Sequence, residues 1–260
     1  MVEGIAGRWR KNEASYGIWV NLPDLHLAET IARSGVDWMC FDLQHGLMDY
    51  GDLLRLMPAV AGTSITVFVR VSSNSTADIG RVLDAGADGV IVPMVNTAKD
   101  AADAVSACRY PPQGLRSCGP MRSAMLEGMS YLGTANERIL CLAMIETQEG
   151  MSQVADIAAT PGLDGLFVGP MDLCFGLGIA PGDFGNEKFT RAIADILGAC
   201  KGNDIFAGMF GYAPELARSS VEQGFHFASI GSDISFFRAG IRGAVETATG
   251  KPALVNSAGY

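Results

Sequence analysis

Four ionisable residues close short apolar runs in this chain, and their types could do acid–base and cation chemistry. His45 stands in "WMCFDLQHGLMDYG" (38–51), which opens with four apolar residues and breaks at once into Asp42, Gln44 and His45, and it is one of three histidines in 260 residues. Asp42 shares that stretch. Arg70 falls in "TVFVRV" (66–71), Glu146 ends "ILCLAMIE" (139–146), and Asp172 follows "GLFVGP" (165–170) in "VGPMDL". An imidazole moves protons near neutral pH. A guanidinium steadies a growing negative charge. Two carboxylates make an oxygen-rich site that suits a hard divalent cation such as Mg²⁺ or Mn²⁺, with water or substrate completing the shell. Zinc would recruit His or Cys, and only His45 is near. Taken singly, each residue has a plainer reading: His45 as a loop residue, Arg70 as a surface charge, Glu146 and Asp172 as helix caps. Together they are harder to dismiss, because charges at the ends of apolar strands are costly unless paired or metal-bound.

The elements that must position them are legible as alternation. Near-continuous apolar runs at 16–22, 38–43, 66–71, 89–94, 139–146, 165–170, 205–210 and 225–231 read as strands covered on both faces. Helical patterns at 25–35, 76–86, 97–109 and 189–202 lie between them, several ending in Gly. Eight strands alternating with helices predict a (β/α)8 barrel as one unit over residues 1–260, with an open doubly wound sheet as the alternative. In such a barrel the active site gathers at the C-terminal ends of the strands, where the four residues stand. The longest irregular stretch, 110–135, is expected to be an active-site loop or an oligomer contact. It is expected to shape the substrate pocket together with the strand end near Met209 and Phe210, where Phe210 suggests an apolar wall. "GSD" (231–233) reads as the cap of the last helix, and the tail "KPALVNSAGY" (251–260) as mobile or docked on a neighbouring subunit.

Absences narrow the chemistry. None of the five lysines ends a strand, which disfavours a Schiff-base mechanism. No GxxxxGK[ST] occurs and no GxGxxG follows a strand, which argues against a bound nucleotide. A net charge of -9 argues against nucleic acid as a partner. No run reaches the ~18 apolar residues of a membrane span, and the start lacks a secretory core, so a cytoplasmic location is expected. The six scattered cysteines, with no CxxC, read as reduced and mostly buried, Cys174 among them.

On "FDLQHG" (41–46), "VRV" with Arg70, "LDAGADGVIVPMV" (83–95), "RYPPQGLRS" (109–117), "IET" (145–147) and "GPMDL" (169–173), the sequence resembles the HpcH/HpaI aldolases, metal-dependent class II pyruvate aldolases. The resemblance covers roughly 16–240 and implies a (β/α)8 barrel assembled as a homo-oligomer, a hexamer or trimer. It implies His45 as catalytic base, Arg70 as transition-state stabiliser and substrate contact, and Asp84 as the carboxylate that raises the basicity of His45. Glu146 and Asp172 would hold Mg²⁺, Mn²⁺ or Co²⁺. Met144, Gly169, Pro170, Met171 and Asp172 would line the oxoacid site, with the backbone at Met171 and Asp172 seating its carboxylate. The substrates implied are pyruvate and an aldehyde. Two positions depart from the family's pattern: Gln44 where Glu is common, and Met144 where Gln is common. Loss of the charge at 44 would weaken metal binding or make a bound water less basic; Met144 removes an amide from the substrate site. Alternatives are a CoA-thioester lyase of the citrate-lyase or malyl-CoA-lyase type, and a non-catalytic oxoacid-binding barrel.

Overall fold

The computed structural model describes residues 4–252. Its strands are β1 (Ser15–Val20), β2 (Trp38–Asp42), β3 (Thr66–Arg70), β4 (Gly89–Val92), β5 (Leu140–Ile145), β6 (Gly165–Val168), β7 (Phe206–Met209) and β8 (Phe227–Ser232). All pair in parallel, in chain order, and β8 pairs with β1 to close the barrel. The helices are α1 (Ile5–Arg10), α2 (Leu25–Ala32), α3 (Tyr50–Val60), α4 (Thr76–Asp84), α5 (Ala98–Cys108), α6 (Met121–Glu127), α7 (Ser130–Arg138), α8 (Gln148–Ser152), α9 (Val154–Ala158), α10 (Pro170–Gly176), α11 (Glu187–Gly202), α12 (Pro214–Gln223) and α13 (Asp233–Thr249). The expected barrel is therefore present, and each expected strand lies within about two residues of its observed bounds.

The pleat explains where side chains go. Successive strand residues face opposite sides, and two apolar clusters follow that parity. Trp19, Trp38, Cys40, Phe68, Leu142, Met144, Phe167 and Phe227 fill the interior. Met39, Phe41, Val67, Val69 and Ala143 face outward, where the helices cover them. Continuing the inward parity past the last apolar layer reaches Asp42 after Trp38 and Cys40, Arg70 after Phe68, and Glu146 after Leu142 and Met144. The polar mouth is the top layer of the barrel's own filling.

Both ends of the chain close the barrel. The short α1 plugs the lower end: Trp9 is fully buried, stacks on Phe227 at 4.3 Å and donates from Nε1 to Ser15 Oγ at 2.8 Å. At the top, the Asp233 carboxylate accepts from the Asn21 and Leu22 N–H groups, both at 2.9 Å, pinning β8 to the loop after β1. Ser232 and Ser235 form a capping box at the start of α13, so "GSD" is a cap as expected.

Two expectations change. The second half of the 110–135 stretch is helical, holding α6 and the first part of α7, and the whole joins α5 to β5. A helix-to-strand connection lies at the N-terminal ends of the strands, so it cannot line this chain's own mouth. Beyond its first turns α13 is exposed along its length, with Phe237 68% and Ile241 50% accessible. Residues 253–260 of the expected docking tail lie outside the described residues.

Candidate active site

Asp42 organises one side of the mouth. It is 1% exposed and takes Arg70 with both oxygens, Nε to Oδ1 at 2.9 Å and Nη2 to Oδ2 at 2.5 Å. The two residues are register partners on β2 and β3, so the sheet itself sets their approach. Trp19 Nε1 donates to Asp42 Oδ2 at 3.1 Å, and the guanidinium lies 5.2 Å from the Trp19 ring. The N–H groups of Gln44 and His45 donate to Asp42 Oδ1 at 3.0 and 3.2 Å. One buried carboxylate thereby fixes both the arginine and the turn that carries the histidine. Burial alone would raise the Asp42 pKa; the hydrogen bonds and charge of Arg70 outweigh it and hold the carboxyl below its ordinary value. His45 is exposed at the rim. Gln44 Oε1 is buried without a hydrogen-bond partner among the described residues.

Glu146 and Asp172 form the facing part. Glu146 is 3% exposed and accepts from the Met94 N–H at 2.7 Å through Oε1. Met94 holds φ at 55°, a left-handed conformation uncommon outside glycine, at the end of β4. Burial pushes the Glu146 carboxyl up to about 6; the Met94 N–H opposes the rise and the charge of Asp172 adds to it. Asp172 is exposed on the first turn of α10. Gly169, Pro170 and Met171 lead into that turn, which has no side-chain cap. A Cβ on Gly169 would come within 2.9 Å of both Glu146 Oε2 and Met144 Cε, so only glycine lets β6 pass this close. Met144 is 2% exposed and packs there.

Asp84 is not beside His45 in this chain. It ends α4, five residues before β4 begins, and so lies at the opposite end of the barrel. Its Oδ1 accepts from Arg116 Nη2 at 2.8 Å. Arg116 is 1% exposed, bonds the Tyr131 hydroxyl at 3.2 Å and lies 4.5 Å from the Tyr110 ring. Trp19 and, above all, Asp42 belong to the cluster at the mouth without standing out in the local sequence. The inward parity of Asp42 with Trp38 and Cys40 is the available signal.

A closed parallel barrel with a histidine, a fixed guanidinium and two carboxylates at its C-terminal mouth is that of a (β/α)8 enzyme. Residues 15–239 match the HpcH/HpaI aldolase/citrate lyase family. A hydroxypyruvate/pyruvate aldolase of Rhizorhabdus wittichii is 36% identical over 245 residues, covering 92% of this chain and 96% of that one. A 5-keto-4-deoxy-D-glucarate aldolase of Klebsiella pneumoniae is 35% identical over 229 residues, covering 87% and 89%. The crystal structure of an HpcH/HpaI aldolase/citrate lyase family protein from Burkholderia cenocepacia superposes with a TM-score of 0.88 at 34% identity, covering 94% and 98%. This chain belongs to the HpcH/HpaI aldolase/citrate lyase family.

Proposed function

We propose that this mouth converts pyruvate to its enolate and joins it to an aldehyde, the reverse reaction cleaving a 4-hydroxy-2-oxoacid. The chain is an aldolase, a carbon–carbon lyase, like its curated relatives. The observation that carries the reading is the buried Asp42–Arg70 pair on β2 and β3, whose carboxylate also holds the backbone of the exposed His45, with two mutually repelling carboxylates in the same mouth.

Glu146 and Asp172 fit a hard divalent cation, Mg²⁺, Mn²⁺ or Co²⁺. Their donors are all oxygen, and Glu146 is a buried carboxylate whose charge a cation would compensate. Among the described residues no three His, Cys, Asp or Glu side chains gather as a metal cluster, so water and substrate would complete the shell. A bound cation supplies Lewis acidity to the keto group of the oxoacid. His45 takes the methyl proton. Arg70, held by Asp42, faces the negative charge that grows on the enolate oxygen. The uncapped N–H groups at Met171 and Asp172 receive the oxoacid carboxylate, with Gly169, Pro170 and Met144 shaping the floor. Gln44 Oε1, buried without a hydrogen-bond partner among the described residues, is an acceptor that an enclosed water would satisfy.

Asp84 can serve His45 only from a second copy of the chain. A homo-oligomer, a hexamer or trimer, is the assembly in which this role is possible, and the exposed apolar residues of α13 give such an assembly a surface to bury. No helix among the described residues is long and apolar enough to cross a membrane. A cytoplasmic location accords with six free cysteines. The test is product formation: pyruvate and an aldehyde panel with the purified protein and Mg²⁺, Mn²⁺ or Co²⁺, read by mass. New 4-hydroxy-2-oxoacids support the reading. Cleavage of a CoA thioester with no oxoacid product overturns it.

A further inference from the structure

We propose that the aldehyde partner of this site carries an aromatic or extended alkyl group and no second anion, and that this group seats along Phe210 and Tyr212. The inference rests on the aldolase reading above and names the acceptor class.

The mouth has two unlike halves. Asp42, Arg70, Glu146 and Asp172 come from β2, β3, β5 and the start of α10, and make one arc polar. The other arc, over β7, β8 and β1, carries the aromatic rings, with the Asp233 carboxylate beside them already engaged by Asn21 and Leu22. Phe206 and Gly208 set the inward parity of β7, and Phe210 and Tyr212 continue it above the strand. Phe210 meets Trp19 edge-on at 4.9 Å and Tyr212 at 4.7 Å. Tyr212 stacks on Phe184 at 6.3 Å, and Trp19 in turn packs on Phe167 at 5.5 Å. The rings run without a break from the barrel interior to the rim, where Tyr212 is 38% exposed.

The polar backbone between the two rings is already used. The Gly211 N–H donates to Ser229 Oγ at 2.9 Å, and that hydroxyl donates back to the Gly211 carbonyl at 3.1 Å. Both backbone groups of Gly211 thereby already have partners inside the fold, which leaves ring faces as the main contact surface of this arc.

Charge points the same way. Arg70 is the only Lys or Arg among the strand ends and the segments that join each strand to its next helix. Its guanidinium is engaged by Asp42 and stands over the oxoacid side. Asp24, Asp49 and Asp183 add negative charge to the loops at this end. A second carboxylate on the acceptor would meet repulsion and no cation from the strand ends or those connecting segments, the lysines at this end, Lys99 and Lys188, standing instead on the first turns of α5 and α11.

The test compares benzaldehyde and hexanal with succinic semialdehyde and glyceraldehyde, each with pyruvate, alongside pyruvate methyl-proton exchange in D₂O without any aldehyde. The apolar aldehydes are expected to exceed the other two in kcat/KM by about ten-fold or more. Tyr212→Ala, a substitution at the rim, is expected to raise KM for the apolar aldehydes about five-fold while leaving glyceraldehyde turnover and pyruvate exchange unchanged. Phe210→Leu is expected to act in the same sense. Normal pyruvate exchange with succinic semialdehyde as the best acceptor overturns the inference and leaves the aldolase reading standing. So does a Tyr212→Ala that alters all acceptors alike or none. Absence of pyruvate exchange overturns the aldolase reading itself.

Discussion

Arg70 grips Asp42 through two parallel hydrogen bonds, Nε to Oδ1 at 2.9 Å and Nη2 to Oδ2 at 2.5 Å, inside a barrel mouth where both side chains are nearly inaccessible. This pair links stability to function. The same carboxylate that neutralises the buried guanidinium also anchors the backbone at Gln44 and His45. Loss of the Asp42 charge would leave a buried cation unpaired and weaken the hold on the histidine's turn.

Asp42→Asn is therefore expected to destabilise the fold by about 3 kcal/mol, the cost typical of breaking a buried pair, and to lower turnover as well. The folded pKa of Asp42 is depressed, so its contribution to stability is present above the unfolded value of about 4 and is lost as pH falls through the lower folded value. Urea unfolding followed from neutral pH into acid should show the wild-type chain losing stability in this range and Asp42→Asn losing less. Equal acid slopes would contradict the pairing.

Gly169→Ala tests the close approach of β6 to the carboxylate site. The added methyl would meet Glu146 Oε2 and Met144 Cε at 2.9 Å, and Glu146 must shift. Mn²⁺ affinity, measured by titration calorimetry, is expected to fall about ten-fold, as when groups that orient a metal ligand are disturbed. Unchanged affinity would remove Gly169 from the support of the site.

The separation of Asp84 from His45 predicts complementation between defective subunits. His45→Ala and Asp84→Asn should each lose activity, by about 10²-fold or more for the base. Dissociated and reassembled together, they are expected to regain activity, because some sites then combine an intact His45 with an intact Asp84 from another copy. Failure to regain any activity in assembled mixtures would place Asp84 outside the mechanism.

The barrel was legible because buried parallel strands are apolar almost without interruption and glycine marks several helix ends; "GVIVPM" shows the first pattern plainly. Glu146 was legible as the first charge after such a run. Asp42 was underweighted because its importance lies in a register pairing with Arg70, which no local stretch displays. The helix at Ile5–Arg10 was not expected, since six residues show too little periodicity and are held by the burial of Trp9. Asp84 shows a different limit: a resemblance assigns it a role, yet only the fold reveals that it stands on the far rim beside Arg116. The stretch 110–135 reads as a loop because Pro111, Pro112, Gly114, Gly119 and Gly128 break its periodicity and leave room for only two short helices.

The central claim is that His45 draws a proton from pyruvate at a cation held by Glu146 and Asp172. Pyruvate methyl-proton exchange in D₂O, followed by NMR without any aldehyde, reads that step alone. The account predicts exchange by the wild-type protein with Mg²⁺, Mn²⁺ or Co²⁺, loss of exchange on chelation with recovery on adding the cation back, and loss in His45→Ala with folding stability kept within about 0.5 kcal/mol. Undiminished exchange after exhaustive chelation, or in His45→Ala, would contradict it.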